Sequence, residues 1–190
     1  MNTIFFSTRN YYIGKKRKSL RSPIKFRIYN DKRECIGYIT NKKTFLQKII
    51  GLNILPSVFE IRNANGVLKV SLLRTYPSFY ATIIIMDDRG KKVGSIKQQF
   101  SLFRQNLKIL NASNEFIGAI CCNKKESCFT INNMSKDEIG EIKQRESRNA
   151  LSRSGSSYDV VIEEIYSNAE DQIAVLASAL AINMILQMIL

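Results

Sequence analysis

The chain has no histidine. That absence removes the most frequent general base at neutral pH and the usual nitrogen ligand of zinc. Its cysteines are Cys35, Cys121, Cys122 and Cys128, and none of them forms a C-x-x-C pair. Adjacent Cys121 and Cys122 make a poor disulfide and read as two small buried residues, so a reducing compartment is the simplest inference. There is no G-x-S-x-G, no P-loop and no glycine-rich dinucleotide turn, the local signatures of acyl transfer, phosphate cradling and dinucleotide binding. Glu163 and Glu164 are neighbours on a strand, point to opposite faces and make a poor acid–base pair. Conventional enzymology is not expected. The run Ile4-Phe5-Phe6 is too short for the apolar region of a secretory signal, and the chain reads as cytoplasmic.

Acidic residues are scarce at one end. Residues 1–50 hold 13 basic and 2 acidic side chains (+11), whereas residues 51–190 hold 16 and 14 (+2). The tightest cluster is Lys15, Lys16, Arg17, Lys18 and Arg21. Such a patch favours phosphate-rich partners, lipid heads or nucleic acid, or it is simply a solvated basic face. Residues 1–22 read as a basic N-terminal segment and 23–190 as one domain.

One short pattern returns through that domain. Ile36-Gly37-Tyr38-Ile39, Val93-Gly94-Ser95-Ile96, Ile117-Gly118-Ala119-Ile120 and Ile139-Gly140-Glu141-Ile142 each follow an alternating stretch: Phe26 to Ile28, Thr82 to Ile84, Leu107 to Ile109 and Phe129 to Ile131. Polar turn residues lie between the halves, among them Asn30-Asp31, Asp87 to Gly90, Asn111 to Asn114 and Asn132-Asn133. A degenerate copy runs from Phe59 to Val70. Period-two alternation means half-buried strands, and Asn, Asp and Gly tolerate tight turns. The repeated glycine marks a bend, a bulge or close packing beneath it. Five hairpins, a strand from Tyr158 to Glu163 and a twelfth from Thr3 to Ser7 predict about twelve antiparallel strands in meander order, closed as a barrel or stacked as a sandwich. Asn41 to Leu52 reads as a short basic amphipathic helix with Phe45, Leu46, Ile49 and Ile50 on one face. That face either meets a membrane interface or packs on the barrel. Gln144 to Ser157 reads as a loop.

The one strong helix is the last, about 168–190, opened by a capping box with Ser167 as cap and Glu170 folding back. Ile173 to Leu190 carries no charge, eleven large apolar side chains and only Ser178, Asn183 and Gln187 as polar residues. It would span roughly 27 Å, just short of a hydrocarbon core of about 30 Å. It lacks flanking cations and an aromatic belt, and Asn183 and Gln187 share a face that is awkward in lipid. A twelve-stranded barrel is too wide for its own side chains to fill. Mainly β, with a closed barrel around a central hydrophobic helix carrying Leu176, Leu180, Asn183, Ile185 and Gln187, is therefore the expectation. A bilayer span is the alternative.

This layout resembles the tubby-like architecture shared by phospholipid scramblases and the plant LURP-one-related proteins. Val93 to Ile109 resembles the scramblase segment G-x-I-x-Q-x-W/F…F-x-I, and Phe129 to Ile142 the hairpin after it. Leu176 to Leu186 resembles the closing helix, where the family's Ile-Asp pair reads Ile182-Asn183. The resemblance implies a protein peripheral at the inner membrane surface, binding anionic phospholipid or phosphoinositide, with or without lipid scrambling. It also implies an Asp-rich calcium segment, but Ser154 to Asp159 offers one carboxylate where calcium takes six to eight oxygens. No metal and no other cofactor are expected. The family's acylated cysteine-rich loop corresponds to Arg74 to Tyr80, which has Tyr76, Phe79 and Tyr80 but no cysteine. Its proline-rich N-terminal arm is absent. A soluble module for nucleic acid or protein partners is the competing reading. Exposed aromatic platforms would mark nucleic-acid binding, and the aromatics here mostly alternate as core residues do.

Overall fold

The structure, a computed structural model, describes residues 3–6, 8–15, 24–42, 58–75, 82–99, 106–123, 128–145, 157–163 and 168–189. Twelve strands form one closed antiparallel barrel in meander order. They are β1 (Asn10–Lys15), β2 (Ile24–Tyr29), β3 (Cys35–Lys42), β4 (Val58–Asn63), β5 (Leu68–Arg74), β6 (Thr82–Asp87), β7 (Lys92–Gln99), β8 (Asn106–Asn111), β9 (Phe116–Asn123), β10 (Cys128–Asn132), β11 (Glu138–Arg145) and β12 (Ser157–Ile162). Among the described residues one helix, α1 (Ala169–Ile189), completes the fold.

Two expectations change at the N-terminus. Thr3–Phe6 is a 3-10 turn, not a strand. The closing strand is β1, pairing with β12 on one side and β2 on the other. Residues 10–15, within the segment read as lying outside the domain, therefore belong to the barrel. Tyr11 and Ile13 are buried at 2% and 0% exposure, but Asn10, Gly14 and Lys15 surround them and hide the alternation. The Tyr11 phenol donates to the Phe5 carbonyl at 3.3 Å, and burial pushes its pKa up.

All five hairpins close with the same turn. An Asx residue (Asn30, Asn63, Asp87, Asn111 or Asn133) accepts on Oδ1 the backbone N–H four residues on, at 2.8–2.9 Å. The residue three on is left-handed: Arg33, Gly66, Gly90, Asn114 and Lys136, with φ from 62° to 84°. Side-chain capping of this kind replaces ladder bonds that a turn cannot make. Each second strand then carries a bulge, at Ile36, Lys69, Val93, Ile117 and Ile139 in turn. The repeated glycine, or Val70 in the degenerate copy, comes next. Of the readings left open for that glycine, close packing and an adjacent bulge both hold. A Cβ on Gly94 would sit 2.6 Å from the Leu110 carbonyl oxygen and 2.8 Å from Ala174 Cβ.

The inward faces form a belt of Ile13, Ile28, Ile39, Ile61, Ile85, Ile96, Ile109, Ile120, Ile131 and Ile142 around α1. Ile173 to Ile182 are all buried, Leu176 and Leu180 at 3% and 1% exposure. The helix leans on β7 and β8 and also meets β9, β12 and the 3-10 turn. Among the described residues no helix is long and apolar enough to cross a membrane. Asn168, one residue beyond the expected cap, receives the Glu170 N–H at 2.9 Å, the usual first-turn capping bond. Ser167 lies outside the described residues. The capping-box bond of Glu170 would reach that residue. Glu170 pairs with Lys91 at 2.5 Å, tying the helix start to the β6–β7 turn. In the core, Ser178 Oγ donates to the Ala174 carbonyl at 2.6 Å, which removes the cost of a bare hydroxyl there.

Candidate functional site

Meander order gives the barrel two unlike ends. One carries the five turns, the helix start and the 3-10 turn. At the other, β1 stops at Lys15 and β3 at Lys42, and β2 and β4 begin at Ile24 and Val58. The Lys15 backbone pairs with Phe26. The Lys15 side chain, all of Lys16, Arg17, Lys18 and Arg21, and all of Phe45, Leu46, Ile49 and Ile50 lie outside the described residues. Asn41 and Lys42, read as the start of a helix, are the end of β3. Gln144 and Arg145, read as loop, still belong to β11. Asn183, Ile185 and Gln187 are in α1, with side chains outside the described residues.

The outer wall is rich in paired charge. Glu60 is 4% exposed and meets Lys42 Nζ at 2.5 Å and Arg62 Nη2 at 2.7 Å. Arg62 Nη1 also donates to the Gly66 carbonyl at 2.7 Å. Burial alone would push the Glu60 carboxyl up. The hydrogen bonds from Lys42 and Arg62, with their charges, outweigh it and hold the group below the ordinary carboxylate value. Across β11, β12 and β1, Lys143 pairs with Glu141 and Arg145 with Asp159. Arg33 lies 4.6 Å over the Tyr12 ring. Asp159, the one carboxylate of the stretch corresponding to the family's calcium segment, is thus engaged by an arginine. Among the described residues no three Cys, Asp or Glu side chains are grouped to hold a metal.

Register brings together cations that the sequence keeps apart. Lys97 on β7 lies directly opposite Lys108 on β8, and both are exposed. Like charges in that relation repel. The pair stands toward the end that carries Lys15 and Lys42. Sequence reading missed it because ten residues lie between the two and only the β7–β8 register joins them.

At the turn end a pocket of about 460 Å³ opens between the β2–β3 and β4–β5 turns, lined by Phe5, Thr8, Asn30, Asn63, Asn65 and Lys69 among others. Its frame is set by the Ala64 N–H donating to the Ile36 carbonyl at 2.9 Å, which stitches one hairpin to the next. Cys35 stands at this rim, exposed, and Cys128 is buried with Sγ 2.9 Å from Glu141 Oε1. Cys121 and Cys122 are half-buried rather than buried, and only Cys122 packs against the core. No disulfide joins any of them.

No known family profile matches the chain, and no curated protein does. A crystal structure of a protein from Arabidopsis thaliana superposes on it with a TM-score of 0.58 at 11% identity, covering 98% of this chain and 96% of that one. At that identity the likeness concerns the fold: a barrel closed around its own helix.

Proposed function

We propose that the protein is a lipid-surface-binding barrel of the scramblase and tubby-like group, docking on anionic phospholipid through Lys15, Lys16, Arg17, Lys18 and Arg21. The observation that carries this reading is the burial of Ile173 to Ile182 inside the strands. With the apolar tail consumed as core, the remaining anomaly of the chain is its charge, +11 of the +13 lying in residues 1–50. In support, β1 ends at Lys15 and β2 begins at Ile24 at the barrel end opposite the turns. Phe45, Leu46, Ile49 and Ile50, which follow β3 in the sequence, supply apolar anchors to the interface. Lys97 and Lys108 add cations on the far side of the same rim.

The magnitude favours reversible attachment. At about 1 kcal/mol per cation near a charged surface, five cations give about 5 kcal/mol, a dissociation constant between millimolar and micromolar. Binding without translocation is the proposed activity, since a helix filling the barrel leaves no lumen for a lipid head. Liposome flotation tests it. Vesicles with phosphatidylserine or a phosphoinositide should carry the protein up the gradient at low salt. Neutral phosphatidylcholine should not, and reversing Lys15 to Lys18 to glutamate should abolish flotation. Equal flotation with neutral vesicles, or no effect of the reversal, contradicts the reading. Salt-sensitive retention on RNA or DNA without flotation would assign the patch to nucleic acid instead.

A further inference from the structure

The five bulge positions close the turn end of the barrel, and four of them are apolar: Ile36, Val93, Ile117 and Ile139. The fifth is Lys69, left out of register between Ile61↔Val70 and Arg62↔Leu68. It is only 7% exposed, and no described residue pairs with its ammonium. A lysine is seldom so enclosed without a partner, and here it lines the open pocket, where its ammonium can stay in contact with water. An aliphatic side chain satisfies the same position in every sibling hairpin, so the fold itself does not require a lysine there. The lysine lines the 460 Å³ pocket, where Phe5 and Ile36 supply apolar surface and Thr8, Asn63 and Asn65 supply polar groups. That combination of size, apolar surface and a few convergent polar groups fits a small-molecule site.

We propose that this pocket binds a small organic anion, a carboxylate or a phosphate monoester, with Lys69 as its counter-charge and the ligand body against Phe5 and Ile36. Glu34 is the one acid among the described lining residues. Its carboxylate is exposed and held by Asn30 Nδ2 at 2.8 Å, so water screens its repulsion. Among the described residues lining it, Lys69 is the one cation. The site lies at the end away from the basic segment and stands or falls independently of membrane binding.

Benzoate and phenyl phosphate are suitable probes, since they share an aromatic body and separate the two anion chemistries. Titration followed by amide chemical shifts should give saturable binding of at least one probe below about 10 mM, with the largest shifts at Ile36, Ala64 and Lys69. The probe that binds more tightly identifies the anion. Lys69→Ile restores the residue type of the other hairpins. It should fold at least as stably as the wild type yet bind at least about tenfold more weakly. Should that variant not fold, Lys69→Met takes its place, and shifts in the wild type still report the location. No saturable binding of either probe, shifts centred elsewhere, or unchanged affinity after loss of the ammonium would overturn the assignment.

Discussion

Replacing Gly94 by alanine tests the contact between helix and wall where it is tightest. The added Cβ would lie 2.6 Å from the Leu110 carbonyl oxygen and 2.8 Å from Ala174 Cβ, whereas carbon contacts settle at about 3.5–4.0 Å. Either α1 moves off β7 by about 1 Å or the β7–β8 ladder distorts, because one of the two obstacles is backbone. Overpacking of this kind costs up to about 3 kcal/mol. Losing glycine's freedom in the unfolded chain returns about 0.4–1 kcal/mol. The net loss is about 2 kcal/mol, a fall of about 4–8 °C in Tm for a chain of this length. Urea denaturation of Gly94→Ala, Ala174→Gly and the double variant gives the coupling directly. Ala174→Gly alone loses about 1 kcal/mol of helix propensity. In the double variant part of the Gly94→Ala loss should return, as a favourable coupling of at least about 0.5 kcal/mol. A Gly94→Ala protein as stable as the wild type, or strict additivity, would refute a helix packed against that strand.

Three further outcomes follow from the same geometry. Asp87 Oδ1 accepts the N–H groups of Arg89 and Lys91 at 2.9 and 2.8 Å; Asp87→Ala should cost about 2 kcal/mol in urea melts, while Asp87→Asn, the residue of the four sibling turns, stays within about 1 kcal/mol. Leu180→Ala should cost about 3–4 kcal/mol, measured the same way, because a side chain 1% exposed leaves a cavity when removed. Glu60 has a folded pKa below its ordinary value of 4.5, so its contribution is complete above that pH and disappears as pH falls below 4.5 through the folded value; the stability gap between wild type and Glu60→Gln should be widest near neutrality and shrink toward pH 3.

Much of the barrel is visible in the residues. Alternation such as Phe26, Ile28 and Ile39 announces strands, and the polar clusters from Asn30 to Asn133 announce turns between them. A run of eighteen uncharged residues needs a cover, and a wide barrel needs a filling, so helix and wall could be matched before either was seen. The closing strand escaped because β1 finds its partner in β12, about 150 residues away, and only Tyr11 and Ile13 carry the signal. The left-handed conformations of Arg33 and Lys136 escaped because turn geometry imposes them on residues that do not favour them. Lys69 reads as an ordinary outward lysine until the bulge turns it into the pocket, and the Lys97–Lys108 contact exists only through register. The basic cluster was legible as composition, and its role is a matter of chemistry at the surface.

The barrel holds its shape only if α1 fills it. Native-state hydrogen exchange, followed by mass spectrometry of peptides covering Val175 to Ile182, measures this directly. A helix enclosed by strands can exchange those amides only when the barrel opens, so their protection should equal the global unfolding free energy and fall in step with it as urea is added. Exchange at much lower cost, insensitive to urea and altered by detergent or lipid, would mean that the helix lives outside the wall.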